Sequence, residues 1–212
     1  MGILDDSLLD FSPSSSLDDI GCAGLIFQDV WQRKYREFGE DEDVVDLGSS
    51  LVAMLDVFGP YDEDLTHVRH VYLALAVALA VRPIIQIRFP GDPRPDKVVS
   101  LIREWLKRPG VVPSDFKGIL FPNHDLSAFM DADEAYVIYY ETVRSIEKKN
   151  ARSSVLEILD NALTGEPITV YTEDRRKVLN WLLTEAVPAA YALSEPAWLV
   201  TRKGILQNDH RS

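Results

Sequence analysis

Eleven consecutive apolar residues, Val71 to Val81, constrain this chain more tightly than any other feature of its sequence. Leu65, Val68, Tyr72, Leu75, Ala76 and Leu79 recur at helical spacing, but beyond Val71 every face of that helix is apolar. A helix without a polar face has to be enclosed by other elements. The run itself is too short to cross a bilayer, so no membrane span is expected. Residues 62–82 are therefore predicted to be the hub of a helical bundle, with Leu75 and Ala76 fully buried, and Pro83 is expected to end the hub.

The segments around the hub read as further helices. Ile20, Ala23, Phe27, Val30, Trp31 and Tyr35 give an amphipathic helix over 17–38, stopped by Gly39. Acidic residues 40–43 open a second helix that runs to Phe58, with Gly59-Pro60 as its stop. Val98, Leu101, Ile102 and Trp105 build one from about Asp96 to Lys107. Ala135, Tyr136, Tyr139, Val143 and Ile146 are the inward positions of another over 132–149. Others are predicted over 153–163, from Thr172 through Glu185 with Pro188 kinking or ending it, and over 196–206.

The fold class that follows is all-α, a bundle of six to eight helices with irregular, proline-rich connectors. Short β segments are expected at most near 84–89, where IIQIRF is β-branched, and near 168–171. We expect a flexible tail over 1–16, one helical domain over 17–206 and a loose tail over 207–212. The single cysteine, Cys22, cannot form an internal disulfide, and Asp5, Asp6 and Asp10 stand where an export signal needs basic and apolar residues. A cytoplasmic location is expected.

Three groups of residues carry candidate chemistry. Glu63, His67 and His70 fall on one helical face, and two imidazoles with a carboxylate can hold a transition metal. The simpler reading is an anion-friendly first turn followed by two exposed histidines. His124-Asp125 adds a second set: a His-Asp pair with a distant His and a distant Asp is the ligand set of one large class of helical phosphohydrolases, here with His67 or His70 upstream and Asp160 or Asp174 downstream. Pro122-Asn123 places that pair in a loop or at a helix start. The third group is basic: Arg88, Arg94, Lys97, Arg103, Lys107 and Arg108 could touch phosphates. Against a sequence pI near 4.7, general nucleic-acid binding is disfavoured. No nucleophile elbow, P-loop or dinucleotide fingerprint is present, and no cofactor is expected.

Charge is the most informative signal. Residues 1–65 hold 16 acids and three bases, whereas residues 66–212 hold 18 acids and 19 bases. The net charge of −12 therefore belongs to the first third of the chain. Such polarity attracts a basic partner, repels nucleic acid, or covers a basic surface in the same chain, here Arg88 to Arg108. The leading expectation is a non-enzymatic interaction module that binds a basic protein through Asp41, Glu42, Asp43, Asp62, Glu63 and Asp64. A homo-oligomer is compatible with this reading. The alternatives are the metal-dependent phosphohydrolase and a nucleoprotein component using 88–108.

Overall fold

Residues 64–88 form one helix that runs straight through Pro83. It is the centre of the computed structural model, which describes residues 30, 48–110, 134–164 and 175–194. In chain order the elements are α1 (Gly48–Asp56), α2 (Asp64–Arg88), α3 (Arg94–Lys107), α4 (Glu134–Arg144), α5 (Ala151–Thr164) and α6 (Arg175–Trp181). A π turn (Leu182–Ala186) leads directly into α7 (Val187–Ala192). Helix accounts for 79% of the described residues, and none of them lies in a strand. The fold is all-α.

The hub prediction holds. Fourteen of the 25 residues of α2 are buried, and α3, α4, α5, α7 and the π turn all pack on it. Leu75 and Ala76 are buried among them, at 6% and 3% exposure. By length and composition α2 could cross a membrane, but 67% of its apolar window is covered by the other helices. The inward positions read from sequence on α4, namely Ala135, Tyr136, Tyr139 and Val143, are buried, as is Ile146 just beyond it. Val98, Ile102 and Trp105 of α3 join the same core.

Residue pairings give the helix directions. Tyr139 Oη donates to the Ala78 carbonyl at 2.8 Å, while the His67 ring bonds the Ser145 carbonyl at 2.9 Å. Higher numbers on α4 thus meet lower numbers on α2, and the two run antiparallel. Trp105, in the last turn of α3, packs on His67 in the first turns of α2, so α3 is antiparallel to α2 as well. Arg152 at the start of α5 pairs with Asp56 at the end of α1. One end of the bundle therefore gathers the start of α2 with the ends of α1, α3, α4 and α7.

Two expectations fail for the same reason. Residues 84–88 are helical and not extended, and the hub does not stop at Pro83. Pro83 removes one backbone donor, but Ile84 and Ile85 are buried at 4% and 0%, and that burial outweighs both the lost bond and the β preference of the segment. The Phe89 amide closes the helix on the Ile85 carbonyl at 2.7 Å. Pro188 likewise sits inside a helix. The π turn before it widens the backbone and makes room for the ring, so the chain continues to Ala192. Helix α3 starts at Arg94, two residues before the expected Asp96. The predicted segments at 168–171 and 196–206, and both tails, lie outside the described residues. So does the 17–38 helix, except that Val30 is helical and 1% exposed.

An Ala76→Asp change places a carboxylate at a position only 3% exposed, among apolar neighbours on α2. That cost is comparable with the few kcal/mol by which a domain is stable. The variant should lose soluble, cooperative folding, measured by expression in the soluble fraction and by thermal unfolding, while Gln86→Lys, a charge on the exposed last turn of α2 where a cation suits the helix end, should unfold like the parent.

Candidate functional site

The end of the bundle that holds the start of α2 is fastened by one carbonyl and one arginine. After α1 the chain turns at Gly59, whose φ of +111° is a left-handed conformation that suits glycine; a Cβ there would also come within 2.8 Å of Thr66 Oγ1. The Phe58 carbonyl then accepts from Thr66 Oγ1 at 3.0 Å and from Arg69 Nη1 at 2.8 Å. Arg69 Nε donates to the Tyr191 carbonyl at 2.9 Å, and the guanidinium lies 3.9 Å over the Tyr191 ring. Carbonyls at helix C-termini have no partner within the helix and carry partial negative charge, so a cation placed across two of them stabilises both ends.

Inside this collar lie the histidines. The sequence suggests two exposed rings; the structure buries His67 to 7% and His70 to 2% exposure. The spacing of four and three does put them on one face, but α3, α4 and α5 cover that face. His67 Nε2 faces the Ser145 carbonyl, which can only accept, so the proton of the neutral ring sits on Nε2. Its ring is tilted on Trp105 with centroids 4.9 Å apart. His70 meets Phe58 edge-on at 5.4 Å, and its Nε2 is buried without a hydrogen-bond partner. Burial, and the Arg152 charge after it, lower the His70 value to about 4. Burial also lowers His67, with Lys148 adding to the effect and the Ser145 carbonyl and Asp64 opposing it. Glu63 is exposed at the position before α2 and does not share the pocket. Among the described residues, no three His, Cys, Asp or Glu side chains come together in a way that could hold a metal. His124 and Asp125 lie outside the described residues.

Asp62, Glu63 and Asp64 are all exposed at the turn into α2. Lys148 donates to Asp64 at 2.7 Å and lowers that carboxyl. Asp41, Glu42 and Asp43 lie outside the described residues. The described acids do not cover the segment from Arg88 to Arg108: Asp64 and Asp56 pair with Lys148 and Arg152 of the α4–α5 corner and of α5.

The basic segment is instead met partly by its own acids. Arg94 Nε donates to both Asp92 oxygens at 2.8 Å, and Lys107 pairs with Glu104. Lys97, Arg103 and Arg108 are exposed. Tyr136 Oη donates to Asp92 as well, so the loop before α3 is clamped to the start of α4. Burial alone would raise the Asp92 carboxyl, yet the bonds from Arg94 and Tyr136 hold it down at about 2. The Tyr136 hydroxyl is raised by burial and by its bond to that carboxylate. Asp96 reaches across to Arg82 of α2 at 2.7 Å.

Sequence reasoning did not single out this clamp, nor Glu141. Glu141 is 4% exposed; one oxygen takes Arg144 Nη1 at 2.6 Å and the other is buried without a partner. Glu141 lies one turn after the buried Ile138, and no local pattern distinguishes it from a solvated glutamate. Asp92 and Tyr136 are 44 residues apart, and only the packing of α3 against α4 joins them. Compared with known proteins, the chain matches no family model, no curated protein and no solved structure.

Two outcomes follow. The unfolded chain frees His70 to titrate near 6.5, whereas the folded ring stays neutral down to about 4. The unfolded state takes up more protons between those values, so stability should fall by roughly 3 kcal/mol as pH drops through that window and be flat above it. Chemical denaturation at a series of pH values measures this, and His70→Gln should remove most of the slope. Asp92→Asn should cost about 1–3 kcal/mol at neutral pH, read as a lower unfolding midpoint, because it weakens charge-assisted bonds from Arg94.

Proposed function

We propose that this chain is a non-enzymatic helical interaction module, of the kind found in regulators, adaptors, immunity-type inhibitors or assembly subunits. It binds a basic protein through its acidic N-terminal third and works in the cytoplasm. The observation that carries this reading is the charge polarity: 16 acids against three bases in residues 1–65, with near balance in the rest. Support comes from Asp62, Glu63 and Asp64, all exposed at the turn into α2. Exposed acids of this kind steer a basic partner and set the rate of encounter more than the final affinity.

The competing readings draw less support from the geometry. His67 and His70 are core residues, with one ring nitrogen of His67 already committed to a carbonyl. Arg94 and Lys107 of the basic segment are paired with acids of the same segment.

The test is native capture of a partner by the full chain, followed by association kinetics with that partner across ionic strength. Association should slow several-fold between low and physiological salt, where the screening length is about 8 Å. Combined Asp41→Asn, Glu42→Gln and Asp43→Asn changes should lower the association rate further. A variant that instead gains affinity for RNA or DNA would overturn the proposal in favour of a shielded nucleic-acid site. About one Zn, Mn or Fe per purified chain, lost on His67→Ala, would overturn it in favour of the hydrolase.

A further inference from the structure

Helix α7 hangs on the bundle by an irregular joint. The π turn closes through the Val187 amide on the Leu182 carbonyl, and Pro188, the next residue, supplies no amide of its own. Prolines and π turns are the usual places where a helix bends. Before the joint the anchors are large: Trp181, Leu182 and Leu183 are all buried. After it, α7 buries Val187, Pro188, Ala189 and Ala190. Apolar stabilisation scales with the area covered, and two of those four are alanines, so packing holds α7 less firmly than the segment before the joint.

The far end of α7 is strained, and a side chain of α2 ties it down. Leu193 has a φ of +54°, the left-handed conformation that glycine usually takes where a helix stops. The Ser194 amide closes that end on the Ala189 carbonyl at 2.8 Å. Arg69 Nε then donates to the Tyr191 carbonyl at 2.9 Å, with the guanidinium 3.9 Å over the Tyr191 ring. Arg69 is itself steadied through Nη1 on the Phe58 carbonyl. A planar guanidinium can hold two carbonyls at once in a fixed geometry, whereas an ammonium is a point charge on a flexible stem.

We infer that residues 187–194 form a strap that opens as one unit about the π turn, with Arg69 as its latch. Small buried side chains, a joint that bends and strain at the far end all lower the cost of opening. The Arg69 bonds oppose it. Helical spacing puts Leu73 and Ala76 on the α2 face that carries Arg69, and α7 packs on α2. Opening therefore uncovers apolar side chains of the hub that are buried while the strap is closed. The device hides or bares part of the core, and it stands or falls independently of the proposed basic partner.

Native-state hydrogen exchange on the full chain, resolved by residue, tests the strap. The amides of Ala189, Ala190 and Tyr191 should share one protection factor, at least about tenfold below those of Leu182, Leu183 and Ile158, because a unit that opens together exchanges together. Arg69→Lys should lower protection in the strap by about a further tenfold and leave Leu182, Leu183 and Ile158 unchanged, as expected for loss of a charge-assisted fork. Leu193→Gly should raise protection in the strap about fivefold by relieving the left-handed strain. Simple fraying gives a gradual fall toward Ser194 in place of a step at the π turn, and that result overturns the strap. So does an Arg69→Lys effect that is equal in strap and core, or absent from both. If Arg69→Lys does not fold, Leu193→Gly decides: unchanged protection at Ala189, Ala190 and Tyr191 overturns the inference, and a rise confined to them sustains it.

Discussion

Enclosing α2 on nearly all sides leaves its neighbours to attach to it through its backbone. The middle of α2 offers valine, leucine and alanine side chains, which pack but give no direction. Direction comes from carbonyl oxygens, each of which has a second lone pair beyond its helical bond. Tyr139 Oη uses the one on Ala78, and Thr142 Oγ1 sits 2.7 Å from the Ile138 carbonyl and 3.4 Å from that of Ala74. His67 makes the reciprocal contact with the Ser145 carbonyl. These bonds, spaced along two antiparallel helices, fix how α4 is placed along α2. Apolar packing alone tolerates sliding better than a buried hydroxyl that would lose its acceptor.

The same enclosure explains why the polar groups collect at the ends. Arg69 can span the Phe58 and Tyr191 carbonyls because it lies near the start of α2, where α1 and α7 both finish. Arg82, near the other end, reaches Asp96 at the start of α3. Asp92, Arg94 and Tyr136 close that end. The histidines lie inside the collar at the first of these ends, held neutral by burial yet next to Lys148 and Arg152. Protonating them would add charge beside charge in a buried site, so acid works against the packing of this collar.

The carboxylates of Asp62, Glu63 and Asp64 are exposed at the turn into α2. Asp64 and Asp56 each have an internal cation, which limits repulsion among acids that would otherwise oppose the compact state.

Local pattern alone establishes that the chain is helical, that Val71–Val81 lies at the centre, and which residues of α3 and α4 face inward. Period and apolar run length are local properties, and a wholly apolar helix has no stable place other than a core. The charge polarity is legible in the same way. Packing settles everything that depends on competition between a local preference and a neighbour. Ile84 and Ile85 are helical because their burial on α2 outweighs Pro83 and their β-branching. His67 and His70 sit inside and not in solvent, since the face they share with Val71 and Ala74 is covered by other helices; a spacing of three says which residues share a face, not whether that face is wet. The pairing of Asp92 with Tyr136, and of Asp64 with Lys148 across 84 residues, exists only because folded helices bring their ends together, and no periodicity in a sequence encodes such a contact.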